Sequence, residues 1–359
     1  MKMLLISNMY PSENNEFFGT FVKNFNDGMS SLGYDITKRV ITKSPYSSKN
    51  KISVLKRYFI FYISTWIELM KNKNDLTYVH YVSHCALPVL LSRKQNILIS
   101  NVHGTDILPK TKKQKFFNKF VFKLLKKSTL IVVPSNYYKE VVENKYLIDS
   151  NKIFVSPSGG INTDMFKQKQ EPNKNNTPPV FGFVSRIESG KGWDIFIKAI
   201  NELKNENFKF ILIGSGSKEE EMKKLIRDYS LENRITLLPS QPHRKLVEYF
   251  NSITCLVFPS EFESLGLVGL ESMACGTPVI GAANQGILTY LKDYENGLVF
   301  KNGDYENLAE KIKEFSLLSD NEYTNLSLNS VKTAKKYNQE LISKNLDTII
   351  KMLINRNRK

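Results

Sequence analysis

Short apolar runs alternate with segments of helical period along most of this chain. In the first half, Met3–Ser7, Thr77–Val82, Ile97–Val102, Leu130–Pro134 and Ile153–Ser156 predict strands. A helix is predicted from about Gly19 to Leu32, with Gly33 as its stop. A second set of runs follows at Val180–Ser185, Phe208–Ile213, Ile235–Leu238, Cys255–Phe258 and Pro278–Gly281, again with helical patterns between them. Strands that alternate with helices predict β-α-β units on a parallel sheet. Right-handed crossovers then gather the loops after the strands along one edge, where ligands bind. Between the two sets, Lys167 to Pro179 reads KQKQEPNKNNTPP, with three prolines and no apolar residue, which is linker composition. The fold class is therefore α/β: two Rossmann-like domains facing a central cleft. The first spans 1–166, a linker 167–179, and the second domain 180–337. A basic helix over 338–359 is expected to return to the first domain. No short fixed period repeats, which excludes a solenoid.

Composition narrows the class. At 359 residues the chain exceeds one ordinary core, and 41% hydrophobic with 24% charged residues excludes a disordered polymer. A formal charge of +16 favours anionic partners, namely nucleotides, lipid headgroups or nucleic acid, without choosing among them. Cys85, Cys255 and Cys275 form no CxxC pair and lie in apolar stretches, as reduced core thiols of a cytosolic protein do. None of the four histidines pairs with cysteine or histidine at metal-ligand spacing. The N-terminus carries no signal-peptide pattern. The most apolar stretch, Tyr58 to Met70, is interrupted by polar residues and is too short to span a bilayer of about 30 Å.

The most specific segment is Phe258 to Val279, FPSEFESLGLVGLESMACGTPV. A strand ends, a loop follows, and a helix starts near Gly266. The amides of Gly266, Leu267 and Val268 are then unpaired donors at the positive end of a helix dipole. A diphosphate fits such a place, and Gly266 allows the close approach. Glu271, one and a half turns in, is placed to accept from ribose hydroxyls. Glu263, in the loop, is placed to accept from the hydroxyls of a sugar. Arg186 and Lys191 lie in the loop after the first strand of the second domain. No Asp-x-Asp motif is present to hold a divalent ion, so the charge of a departing diphosphate needs cations of this kind.

This segment resembles the signature of glycosyltransferase family 4, whose paired glutamates match Glu263 and Glu271. Six further elements resemble the family in order: FFGTFV (Phe17 to Val22), VHGTDIL (Val102 to Leu108), VVPSNYYKEVV (Val132 to Val142), SPSGGINTDMF (Ser156 to Phe166), FVSRIESGKGWD (Phe183 to Asp194) and ILIGSGS (Ile211 to Ser217). The resemblance implies the GT-B architecture and a retaining transfer of a hexose or related sugar. The donor is a UDP- or GDP-linked sugar and the acceptor a hydroxyl of a glycan or lipid-linked acceptor, in surface polysaccharide synthesis. It implies no metal and no cofactor beyond the nucleotide-sugar co-substrate, and a front-face departure of the leaving group. It casts Arg186 and Lys191 as the diphosphate clamp, His103 as a contact to the transferred sugar, and Gly19 as the place where backbone passes the donor phosphate. Two departures stand out. Only one of the family's two adjacent glycines is kept at Gly19, and in NQGILTYL (Asn284 to Leu291) Thr289 replaces a glutamate. Asp106 is expected to cap the turn after His103.

Lys112 to Lys127 has an apolar stripe of Phe116, Phe117, Phe120, Val121, Leu124 and Leu125 with lysines opposite. It reads as an ordinary domain helix or as a helix meeting an anionic membrane surface, which implies a cytoplasmic protein peripheral on the inner face of the cell membrane. Two rival functions are a GT-B-type nucleotide-sugar epimerase and a basic nucleic-acid-binding protein. No zinc ligands or aromatic RNA-binding motif support the latter, and no nucleic-acid partner is expected.

Overall fold

The computed structural model describes residues 1–12, 18–42, 51–92, 97–109, 112–157, 159–169 and 178–357. Phe17, Ser158 and residues 170–177 of the expected linker lie outside the described residues. The chain divides into two compact units: Met1–Gly160 with Gln339–Lys359, and Ile161–Asn338.

The first unit contains β1 (Lys2–Ser7), α1 (Thr20–Ser31), β2 (Asp35–Val40), α2 (Lys51–Lys71), β3 (Leu76–His80) and α3 (Val82–Leu90). It continues with β4 (Leu98–Asn101), α4 (Lys112–Lys127), β5 (Leu130–Val133), α5 (Asn136–Tyr146) and β6 (Ile153–Val155). Its six strands pair in parallel in the order β2-β1-β3-β4-β5-β6. Both faces of the sheet are covered, so β1 is apolar at nearly every position. Leu4 and Ile6 join a core with Phe61, Val89, Val121 and Val142 from α2 to α5. Met3 and Leu5 point the other way, onto Val22, Phe25 and Met29 of α1. The edge strand β2 escapes the sequence pattern because its DITKRV is half-exposed and alternates without a clear apolar face.

The second unit contains β7 (Val180–Val184), α6 (Trp193–Glu202), β8 (Lys209–Ile213), α7 (Glu219–Asp228), β9 (Ile235–Leu238) and α8 (His243–Ser252). It continues with β10 (Cys255–Phe258), α9 (Leu267–Ala274), β11 (Val279–Ala282), β12 (Gly297–Phe300), α10 (Tyr305–Ser316) and α11 (Asp320–Lys335). Its parallel order is β12-β11-β10-β7-β8-β9. Here too, alternate residues feed opposite cores: Phe181 and Phe183 one, Val184 and Phe258 the other. The strand β12, GLVF, is not among the apolar runs named above and forms the edge of this sheet.

The unit boundary falls at Gly160, six residues before the expected 166. The reason is packing: Ile161 and Phe166 are buried in the second unit's core beside Phe250. The start of the expected linker is also tied down, since Lys169 N–H donates to Asn251 Oδ1 at 2.8 Å and Asn251 Nδ2 donates to Lys167 O. The last helix, α12 (Gln339–Asn357), belongs to the first unit. Its Leu346, Ile350 and Ile354 enter the α1 core, and Tyr34 donates a buried hydrogen bond to Asp347 Oδ1 at 2.7 Å.

Each sheet reverses its sequence order at one point, between β1 and β3 in the first unit and between β10 and β7 in the second. At such a point neighbouring loops leave in opposite directions and open a crevice beyond the strand C-terminal ends. The candidate residues cluster around these two places.

The helix α4, open to two readings in the sequence, buries most of its apolar stripe. Val121, Leu124 and Leu125 are core residues and Phe120 packs against them, whereas Phe116 is 60% exposed. The ordinary-helix reading holds for the stripe, because α4 covers the sheet beside α3.

Candidate active site

In the second unit, the residues after β7 and β10 converge. Lys191 Nζ lies 2.5 Å from Glu263 Oε1, so the two side chains reach the same point from adjacent strands. Both are largely buried. Their loops are laced by backbone, with Glu261 N–H donating to Gly190 O at 3.1 Å. At Gly192, a Cβ would sit 2.1 Å from the carbonyl oxygen of Pro259. No side chain fits there, and φ is +74°, which L residues with a Cβ avoid.

Arg186 is exposed, on the same loop. That loop is braced by the one after β8: Ile187 N–H donates to Ser215 O, and Lys218 N–H to Ile187 O. Ser217 donates through N–H and Oγ–H to the two carboxylate oxygens of Glu188. Partial burial opposes ionisation of Glu188, but these hydrogen bonds, with the charges of Arg186 and Lys218, hold its carboxyl below the usual range. The glycines of ILIGSGS thus serve packing, since a Cβ at Gly216 would meet Ile187 O at 2.2 Å.

Gly266 is the N-cap of α9 with φ +85°. Leu267 and Val268 open the helix, and no side chain caps it. Among the described residues their amides have no acceptor, and no acid occupies the first turn. The helix start is held from behind by Tyr290, whose hydroxyl donates to Gly266 O at 3.0 Å. Tyr290 is carried by the loop Asn284 to Leu291, where Asn284 Oδ1 accepts from the amides of Gly286 and Ile287 and its Nδ2 donates to Ser260 O. Thr289, in place of a glutamate, turns back onto Gln285 O.

Glu271 is only 3% exposed, and its Oε1 accepts from His243 Nε2 at 2.8 Å. His243 begins α8 and packs edge-on against Phe166. Sequence reading missed it, because a single histidine after proline carries no recognisable spacing.

In the first unit, His80 ends β3 and His103 follows β4. His80 Nδ1 and His103 Nε2 are 3.0 Å apart, with the rings stacked. Whichever ring donates, this contact occupies His103 Nε2 and leaves only Nδ1 for a further partner. His103 keeps 8% exposure, under Phe21 at 4.3 Å between ring centroids. Gly19 begins α1, and a Cβ on it would lie 2.8 Å from Met9 C, so α1 starts hard against the loop after β1. Asp106 accepts from the amides of His103 (2.9 Å) and Val82 (3.1 Å) and so anchors the turn. His80 was also missed by sequence reading; its partner is 23 residues away.

Burial lowers the His103 pKa to about 3 and pushes His80 well below the usual range, with His103 adding to the effect on His80. Burial raises Asp106 to about 7 against the pull of its amide donors. The two signs oppose. Each histidine contributes stability present above its unfolded value of 6.5 and lost as pH falls below it. Asp106 contributes stability present below 3.8 and lost as pH rises towards 7. Between those limits two histidine protons outweigh one aspartate proton. Acidification should therefore destabilise this unit, and His103→Asn should flatten the stability profile there by about 1.4 kcal/mol per pH unit. Urea midpoints across this pH range check it; equal slopes for the two proteins would refute the assignment.

Residues 164–337 match the family model "Glycosyl transferases group 1". An uncharacterized glycosyltransferase of Methanocaldococcus jannaschii is 29% identical over 277 residues, covering 74% of this chain and 72% of that protein. A D-inositol 3-phosphate glycosyltransferase of Acidothermus cellulolyticus is 35% identical over 133 residues, but this covers 34% of this chain and only 30% of the relative. Among solved structures, sucrose-phosphate synthase from Thermosynechococcus elongatus superposes with a TM-score of 0.82 at 18% identity, over 99% of both chains. An Anabaena protein solved in complex with UDP-glucose gives 0.76 at 16% identity, over 98% of this chain and 100% of that one. Residues 164–337 are thus similar to the group 1 glycosyl transferases, and the chain's two parallel-sheet units have the GT-B fold.

Proposed function

We propose that this protein is a retaining glycosyltransferase that carries a sugar from a UDP- or GDP-linked donor to a hydroxyl of a glycan or lipid-linked acceptor. The single observation that carries this reading is the convergence, at the β7/β10 switch point, of Lys191, Glu263 and the open N-terminus of α9. A dipole end with free amides accepts a diphosphate. Lys191 meets the charge that grows as the nucleoside diphosphate leaves, and Arg186 supplies a second cation from the same loop. Glu263 accepts from sugar hydroxyls once Lys191 turns to phosphate. Glu271, oriented by His243, faces the ribose through its remaining carboxylate lone pairs. In the first unit, the resemblance assigns His103, through its Nδ1, a contact to the transferred sugar, and Gly19 a close backbone approach to the donor phosphate. A phosphate oxygen of the donor takes the acceptor proton as the new glycosidic bond forms on the face the diphosphate vacates, so configuration is kept. Catalysis is then positioning and electrostatics, with no metal called upon.

A donor at free concentration c that binds only the native state stabilises it by RT ln(1 + c/Kd) and so raises the melting point. One nucleotide sugar in a panel of UDP-, GDP- and ADP-linked donors should do so with EDTA present. Proton NMR of the product should show the anomeric configuration of the donor. An inverted product would reject the mechanism. Epimerisation of donor without acceptor would reject transfer itself.

A further inference from the structure

The helix α2 is apolar on its outer face as well as its inner one. Phe61, Thr65 and Leu69 are buried against the first unit. On the opposite side, Ile52, Leu55 and Phe59 keep 76%, 73% and 64% of their surface exposed, and Ile63, Trp66 and Met70 continue the same line. The spacing of three or four residues makes this one stripe along a helix of 21 residues, about 30 Å long. Exposed apolar surface of this extent marks an interaction face.

Charge says what covers it. The helix has four cations, Lys51, Lys56, Arg57 and Lys71, and a single acid. That acid, Glu68, is buried and already paired with Arg39 and Lys71. Beside the stripe lies a recess of about 410 Å³ walled by Lys38, Arg39 and Arg57, and Ile60 belongs to both recess and outer face. Within it the Arg39 Nε is buried with no partner among the described residues. A second copy of this chain would oppose like charges across the stripe. An anionic bilayer offers hydrocarbon to the isoleucines and phosphate to the cations. We infer that the outer face of α2 lies on an anionic lipid surface, with the Lys38, Arg39 and Arg57 recess receiving a lipid phosphate. No described helix is long and apolar enough to cross a membrane, so this contact is parallel to the surface.

The full-length chain is mixed with vesicles of phosphatidylglycerol and phosphatidylcholine in equal parts, and with phosphatidylcholine alone, at low salt. Co-sedimentation is expected with the first only. Of the two tryptophans, Trp193 is buried and Trp66 lies on the stripe, so the emission should shift to the blue on binding and fail to shift in Trp66→Phe. The double variant Phe59→Ser, Ile63→Ser should weaken binding at least about tenfold. Lys56→Ala should weaken it about fivefold on anionic vesicles. These side chains are exposed, and an unchanged melting point confirms that the variants fold. Absent co-sedimentation overturns the inference. So does binding indifferent to the stripe variants, or a dimer in ultracentrifugation that the double variant abolishes. Donor binding by the same variants stays intact in every case, which separates this failure from that of the transferase reading.

Discussion

Lys191→Ala should lower kcat about a hundred- to a thousandfold while near-ultraviolet circular dichroism stays native. The size follows from the cost of removing one preorganised charge from a developing anion in a partly dehydrated site. The loss should fall on kcat more than on KM, since a leaving-group contact strengthens only as the bond to the diphosphate breaks. A competing explanation exists within the structure. Lys191 is ion-paired with Glu263, and removing it leaves a largely buried carboxylate without its partner. The double variant Lys191→Ala, Glu263→Gln separates the two. If Lys191 serves only to neutralise Glu263, neutralising that carboxyl restores turnover. If it holds the diphosphate, turnover stays low or falls further. Restored activity in the double variant would end the clamp assignment.

Gly192→Ala should destabilise the second unit by about 2–5 kcal/mol, seen as a lower urea midpoint and as lost activity. Two terms combine. A left-handed backbone with a Cβ costs about 1–2 kcal/mol, and φ at this position is +74°. The added carbon would also stand 2.1 Å from Pro259 O, so the loops carrying Lys191 and Glu263 must separate. Forced overpacking costs about 1–3 kcal/mol more. Gly190 is the control. Its φ is +78°, but a Cβ there meets nothing within 4 Å. Gly190→Ala should therefore show the backbone term alone, about 1–2 kcal/mol. Equal effects at the two glycines would mean that the contact between the loops contributes nothing.

Much of the second site was legible because its elements are contiguous. Gly266, Leu267, Val268 and Glu271 lie within one strand-loop-helix segment, where local rules place a helix start and a glycine before it. The alternation of apolar runs likewise announced parallel sheets, since strands buried on both faces leave few polar positions. His80 and His243 were invisible for the opposite reason. Each acquires its role through a partner more than twenty residues away, His103 and Glu271, and nothing in the local spacing encodes such a pairing. The strand β2 was missed because its half-exposed edge position removes the periodic signal.

The membrane question shows the same division. Lys112 to Lys127 stood out as apolar and basic and Tyr58 to Met70 only as the most apolar stretch, so the membrane-surface reading fell on the first. Periodicity reports that a helix has an apolar stripe, but not which surface that stripe meets. Only packing decided that α4 turns its stripe into the core while α2, apolar on two sides, can bury just one of them. By itself, then, the sequence determined the chemistry available: the kinds of residue, the helix start, the parallel α/β class. Tertiary structure decided the pairings of Lys191 with Glu263 and His243 with Glu271, and which apolar face is left to a partner. Those depend on contacts between segments distant in the chain, and a side chain's partner is set by where the backbone brings it.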